Sequence, residues 1–229
     1  MRTVFVGDIH GCARELEQLL RKVDFRSGSD RLLLTGDAFS RGPDPAVVWE
    51  WIVETDAEMV LGNHDARQLL HLEALAEGRD IRFGRPDQKV TLERLAPWSD
   101  DLLPWLRSVP LYLTAEDFLL VHAGINPERG LADTRRAEFL TIRTWPPTGG
   151  IEGPRWHDAL EDSGDGLIVF GHDAPGGLVV KPTGSAAGAA SRRPAVLGLD
   201  SGCVYGGSLT AYVLEENRLV DVDSGVQPG

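Results

Sequence analysis

Glycine-flanked polar clusters follow one apolar run after another in this chain, which points to an α/β layout with its chemistry gathered at one sheet edge. Gly7-Asp8-Ile9-His10-Gly11 follows the apolar stretch 3–6, and Gly36-Asp37 follows 31–35. Gly62-Asn63-His64-Asp65 follows 57–61, His122-Ala123-Gly124 follows 118–121, and Gly171-His172 follows 167–170. Between the first three runs lie helical patterns. Leu16, Leu19, Leu20 and Val23 recur at helical spacing within 12–23, and Val47, Val48, Trp51 and Ile52 do so within 46–54. The second helix is preceded by the turn Gly42-Pro43-Asp44-Pro45, and a third helix is expected over 66–76. This alternation predicts parallel strands joined by right-handed crossovers. Ligand sites in such sheets form at the carboxyl ends of strands, so the five clusters should converge.

The remainder reads as one domain over 1–229, with a mainly helical, cap-like insertion around 81–107 that carries Trp98 and Trp105. Further strands are expected at 111–114, 118–121, 167–170, 178–181, 195–199, 209–214 and 218–222, with a short helix at 155–161. Residues 146–154 read as a loop, and the small-residue stretch 183–191 as a flexible surface loop.

Net charge is −12, which argues against a nucleic-acid or anionic-membrane partner. Cys12 and Cys203 are too few for a disulfide framework. The first residues run straight into a strand pattern, so no signal peptide is expected. No apolar run is long enough to span a bilayer. A soluble cytoplasmic protein is the expectation.

The clusters supply Asp, His and Asn donors without cysteine, a mixture suited to hard or borderline divalent cations. Two such cations bridged by a carboxylate would equip the site for attack on phosphorus by water. Bound metals would also reverse the field of their own carboxylates and admit an anionic substrate.

The five motifs, in this order, resemble those of the calcineurin-like metallophosphoesterases of the phosphoprotein phosphatase family. The likeness runs from Val4 to about Glu216 and includes Leu199-Asp200-Ser201-Gly202. It implies a β-sandwich of mixed sheets flanked by helices, with metals at the carboxyl ends of strands. By the resemblance, Asp8 and His10 would hold one ion, Asp37 would bridge, and Asn63, His122 and His172 would complete the second. A water bridging the two ions would be the nucleophile. Arg41 and Arg143 match the family's phosphate-clamping arginines, and His64 its general acid. Mn²⁺ is the first choice of ion; Co²⁺, Fe²⁺ and Zn²⁺ also accept this ligand set.

One position departs from the family. Its protein phosphatases read Gly-Asp-x-x-Asp-Arg-Gly, whereas Ser40 stands here at the second carboxylate. Without that partner the pKa of His64 should fall by about 1–3 pH units. The loss matters for a basic alkoxide leaving group, but little for a phosphate, whose second pKa is about 6. Within the family the symmetrical dinucleoside tetraphosphatases share this absence, together with the Gly-Asn-His-Asp, Gly-His and Leu-Asp-Ser-Gly-Cys segments. That resemblance implies a dinucleoside polyphosphate as substrate, diadenosine tetraphosphate being split into two ADP. Tyr205, among the glycines that follow, is a candidate for stacking on a base. Arg14 and the pair Arg192-Arg193 are candidates for a distal phosphate. The alternatives are a serine/threonine protein phosphatase acting on a phosphoprotein, and a metal-binding regulatory module without strong catalysis.

Overall fold

In a computed structural model, which describes residues 1–148, 151–160, 166–182 and 193–227, two five-stranded mixed sheets face one another. In chain order the strands are β1 (Thr3–Val6), β2 (Arg31–Leu34), β3 (Glu58–Met59), β4 (Tyr112–Thr114) and β5 (Phe118–Val121). They continue with β6 (Leu167–Phe170), β7 (Val179–Pro182), β8 (Pro194–Gly198), β9 (Ser208–Val213) and β10 (Arg218–Asp223). One sheet runs β10-β9-β1-β2-β3 and the other β4-β5-β6-β8-β7. Strands β1, β2 and β3 are mutually parallel, as are β5, β6 and β8. Antiparallel strands β10, β4 and β7 form three of the sheet edges, and the parallel β3 forms the fourth.

Strand alternation divides the apolar residues between layers. Phe5, Leu33, Val60, Leu120, Val169, Leu197 and Tyr212 fill the space between the sheets. Their neighbours Val4, Val6, Leu32 and Leu34 turn outward to a helical layer. That layer comprises α1 (Ala13–Lys22), α2 (Pro45–Thr55), α3 (Asn63–Ala76), α4 (Pro86–Leu95) and α5 (Ser99–Ser108). Residues 81–107 thus contribute α4 and most of α5, whose Leu95, Leu102 and Leu106 are buried in the same cluster as the outer face of β1 and β2. On the second sheet, α6 (Arg136–Thr141) and the buried Trp156 cover the outer face.

Several boundaries differ from expectation for local reasons. β3 is only two residues long because the Leu61 N–H leaves the ladder for the Pro110 carbonyl at 2.8 Å. α3 starts at Asn63, not at 66, because Asp65 reaches back to the Gly62 N–H and closes the first turn. The helix expected at 155–161 is a 3₁₀ turn at Trp156–Asp158. Gly149, Gly150, residues 161–165, the stretch 183–192 with Arg192, and the last two residues lie outside the described residues. Arg193 is described, and pairs with Asp117 at 3.4 Å. Among the described residues no helix is long and apolar enough to cross a membrane.

Candidate metal centre and active site

Each polar cluster sits just beyond the carboxyl end of a strand: Asp8 and His10 after β1, Asp37 after β2, and Asn63 and His64 after β3. His122 follows β5, and His172 follows β6. Parallel pairing of these strands brings the segments to one edge of the two sheets. The backbone there is strained. Seven non-glycine residues among those described have positive φ, and four of them are His10, Asp37, Arg41 and His172. Left-handed backbone costs a non-glycine residue energy, and it persists where the surrounding structure over-determines it. Two glycines are required by close approach: a Cβ on Gly171 would overlap the Asp8 carboxylate, and one on Gly62 would overlap that of Asp37.

One ligand atom each from Asp8, His10 and Asp37 lie within 4.8 Å of one another, and so do those of Asp37, His122 and His172. Asp37 belongs to both groups. His10 Nε2 and His122 Nε2 stand 3.7 and 3.6 Å from Asp37 Oδ2. Asn63 Oδ1 approaches His122 Nε2 at 3.2 Å.

The donor set fits cations. His122 Nδ1 lies 2.8 Å from the Thr35 carbonyl, which can only accept, so Nδ1 carries the proton and Nε2 a lone pair. That lone pair faces Asn63 Oδ1 and Asp37 Oδ2, so three acceptors converge without a donor between them. His10 Nδ1 and His172 Nε2 are also buried without a partner. Acceptors so arranged are what a metal ion requires, and the Thr35 carbonyl fixes the imidazole tautomer from behind.

The carboxylates are held with equal care. Asp8 accepts from Thr35 Oγ1 at 2.8 Å and from the His172 N–H at 3.0 Å, and Asp37 accepts the His64 N–H at 2.8 Å. Burial, followed by repulsion from Asp200 and Asp37, pushes Asp8 well above the usual carboxylate range. Burial raises Asp37 to about 7. The same burial holds His10 and His172 well below the ordinary imidazole value, so both are neutral imidazoles at pH 7.

A cavity of about 500 Å³ opens over these groups, and Arg41, His64, Arg143, Asp200 and Tyr205 also line it. Arg41 Nη2 donates to His64 Nε2 at 2.9 Å, and its guanidinium lies over the Tyr205 ring at 5.3 Å. Burial first, then the Arg41 charge, pushes the His64 imidazole down to about 3. Arg143 Nη2 donates to the His172 carbonyl at 3.0 Å, and Asp173 is held between Arg143 and Arg155.

Four contributors were not singled out from sequence. Asp200, after β8, is buried beside the other carboxylates and raises Asp8 and Asp37. Its strand-end position was the available signal. Asp65 is fully buried, and accepts the N–H groups of Asp37 at 2.6 Å, Ala38 at 3.1 Å and Gly62 at 3.2 Å. Thr35 and Asp173 act through neighbours from other elements, a relation no local motif carries.

Residues 1–222 match the family model described as calcineurin-like phosphoesterase. The chain belongs to that family. It is therefore a hydrolase, and the α/β sandwich is the calcineurin-like phosphoesterase fold. The family implies divalent metal ions, for which the two groups sharing Asp37 are candidates. It is 33% identical over 269 residues to the symmetrical bis(5'-nucleosyl)-tetraphosphatase of Chromobacterium violaceum, covering 93% of this chain and 92% of that one. It is 32% identical over 277 residues to the protein of the same name from Edwardsiella ictaluri, covering 98% and 96%. The crystal structure of a protein assigned as a diadenosine tetraphosphatase superposes with a TM-score of 0.74 at 32% identity, over 97% of this chain and 93% of that one. Both sequence alignments exceed the 229 residues of this calcineurin-like phosphoesterase, so these relatives carry segments that it lacks.

Proposed function

We propose that this phosphoesterase splits dinucleoside tetraphosphates symmetrically, diadenosine tetraphosphate giving two ADP. Asp8 and His10 would hold one divalent ion, Asn63, His122 and His172 the other, and Asp37 both, with Mn²⁺ the first choice and Co²⁺, Fe²⁺ or Zn²⁺ as substitutes. Such ions acidify water and neutralise phosphoryl charge when bound. Arg41 and Arg143, both lining the cavity, would clamp phosphate oxygens. Tyr205, half exposed beneath Arg41, would offer its ring to a base.

The observation that carries the substrate class is the contact between Arg41 and His64. A guanidinium cannot accept, so His64 Nε2 is the acceptor in that bond. With its pKa held down to about 3, this imidazole is neutral near pH 7, and its Nε2, turned to Arg41, has no proton to give. An alkoxide leaving group needs that proton. A departing nucleoside diphosphate does not, and the adjacent Arg41 charge stabilises it directly. The names of the Chromobacterium and Edwardsiella relatives support the same reading. Two free, buried cysteines fit a reducing, cytoplasmic setting.

The test is product analysis on diadenosine tetraphosphate with Mn²⁺, beside a phosphoserine peptide. ADP as sole nucleotide product, with kcat/KM above that for the peptide, is the expected result. AMP plus ATP, or a hundredfold preference for the peptide, would overturn the proposal.

A further inference from the structure

Two buried cysteines and a buried glutamate meet in the helical layer of the first sheet, apart from the donors described above. Cys12 precedes α1 and Glu15 lies in its first turn, three positions on, a spacing that sets the two side chains next to each other. Cys203 opens the 3₁₀ turn Cys203–Tyr205, which follows β8. The two sulfurs and a Glu15 carboxylate oxygen lie within 4.8 Å of one another. All three residues are buried, the cysteines within the apolar cluster of the outer layer.

Glu15 is the unusual member. A buried carboxylate is ordinarily paired with a cation or bound to a metal ion. Among the described residues Glu15 makes no ion pair and accepts only the Gly225 N–H, at 2.9 Å. Ligand atoms arranged around a zinc ion stand roughly 3.8 Å apart, so donors held within 4.8 Å can close on one ion by small side-chain shifts. The Cys203 thiol first, then burial, pushes the Cys12 thiol up, so it stays protonated until a cation with high affinity for sulfur displaces the proton. Zn²⁺ and Cd²⁺ are such cations, and Mn²⁺ is not. Glu15 also lines a second cavity, of about 570 Å³, whose three arginines and three carboxylates balance, and from which an ion can reach the carboxylate.

We propose that Cys12, Glu15 and Cys203 form a separate site for one thiophilic divalent cation of the zinc class. The site does not depend on the activity proposed above. A bound ion ties the start of α1, just after Asp8 and His10, to the turn that carries Tyr205, and so stiffens two segments that border the candidate active site.

The test is titration of the full chain with Cd²⁺, Mn²⁺ being present in excess, followed in the ultraviolet. A thiolate–cadmium charge-transfer band arises only from cysteine, and the chain has two, Cys12 and Cys203. The unaltered protein should develop the band and hold one metal ion more per chain than Cys203→Ala, which should lose at least half of the band. Glu15→Gln keeps both sulfurs and should weaken Cd²⁺ binding roughly tenfold or more, at least what loss of an outer partner costs a metal site. Hydrolysis of p-nitrophenyl phosphate with Mn²⁺, unchanged in both variants, would show that they are folded. No band on the unaltered protein, equal metal content in Cys203→Ala, or undiminished Cd²⁺ affinity in Glu15→Gln would each overturn the proposal.

Discussion

Metal loading of this site should release protons, and the release should shrink as pH rises. Asp37 is fully buried and held up to about 7, burial being the largest cause. At pH 6 it is mostly protonated and at pH 8 mostly ionised, and a cation binds only the ionised form. Competition with this one proton lowers the apparent affinity about tenfold between pH 8 and pH 6, or about 1.4 kcal/mol. Asp8, pushed up by burial and by its carboxylate neighbours, acts in the same direction. His10 and His172 are pushed down, are neutral at both pH values, and contribute no proton. The sign is therefore fixed: affinity rises with pH. Titration calorimetry of Mn²⁺ into metal-free protein, in buffers of different ionisation heat, counts the protons. About one proton or more at pH 6 and fewer at pH 8 is the expected outcome. Equal affinity at both pH values without proton release, or proton uptake, would refute the reasoning.

Asp65→Asn should destabilise the fold by about 3 kcal/mol, since the amide turns a donor toward backbone N–H groups that its carboxylate now satisfies. Thermal unfolding should show a drop of roughly 6–12 °C; a change under 2 °C would contradict the assignment. Asn63→Ala and His172→Ala should each lower metal content by about one ion per chain and abolish turnover, which elemental analysis and a phosphatase assay would check. Unchanged turnover in both would remove the proposed second ion. Ser40→Asp should raise kcat/KM on alkyl phosphomonoesters more than on anhydrides, by restoring a carboxylate partner for His64; equal effects would count against the leaving-group argument.

Strand ends were the most legible part of this molecule. Thr3–Val6, Phe118–Val121 and Leu167–Phe170 are short apolar runs, the first and last ending at glycine and the second at His122, and the structure has them as β1, β5 and β6. The polar residues that follow fall together because parallel strands point their carboxyl ends one way. The Asp37 and His64 motifs carried their own signal. Asp65 looked like part of a motif, but its bonds to Asp37 and Ala38 depend on β2 and β3 being neighbours. The Arg41–His64 contact spans 23 positions and depends on a left-handed backbone at Arg41, which no composition rule reveals. α6 was missed because its six residues are too few for periodicity to register. The second cavity joins α1, α4 and the segment around Gly225, and only the packed fold brings these together.

Anomalous diffraction from crystals grown with Mn²⁺ tests the central claim most directly. Two peaks should appear, one against Asp8 and His10 and one against Asn63, His122 and His172, with Asp37 touching both. A single peak, or peaks away from Asp37, would contradict the account.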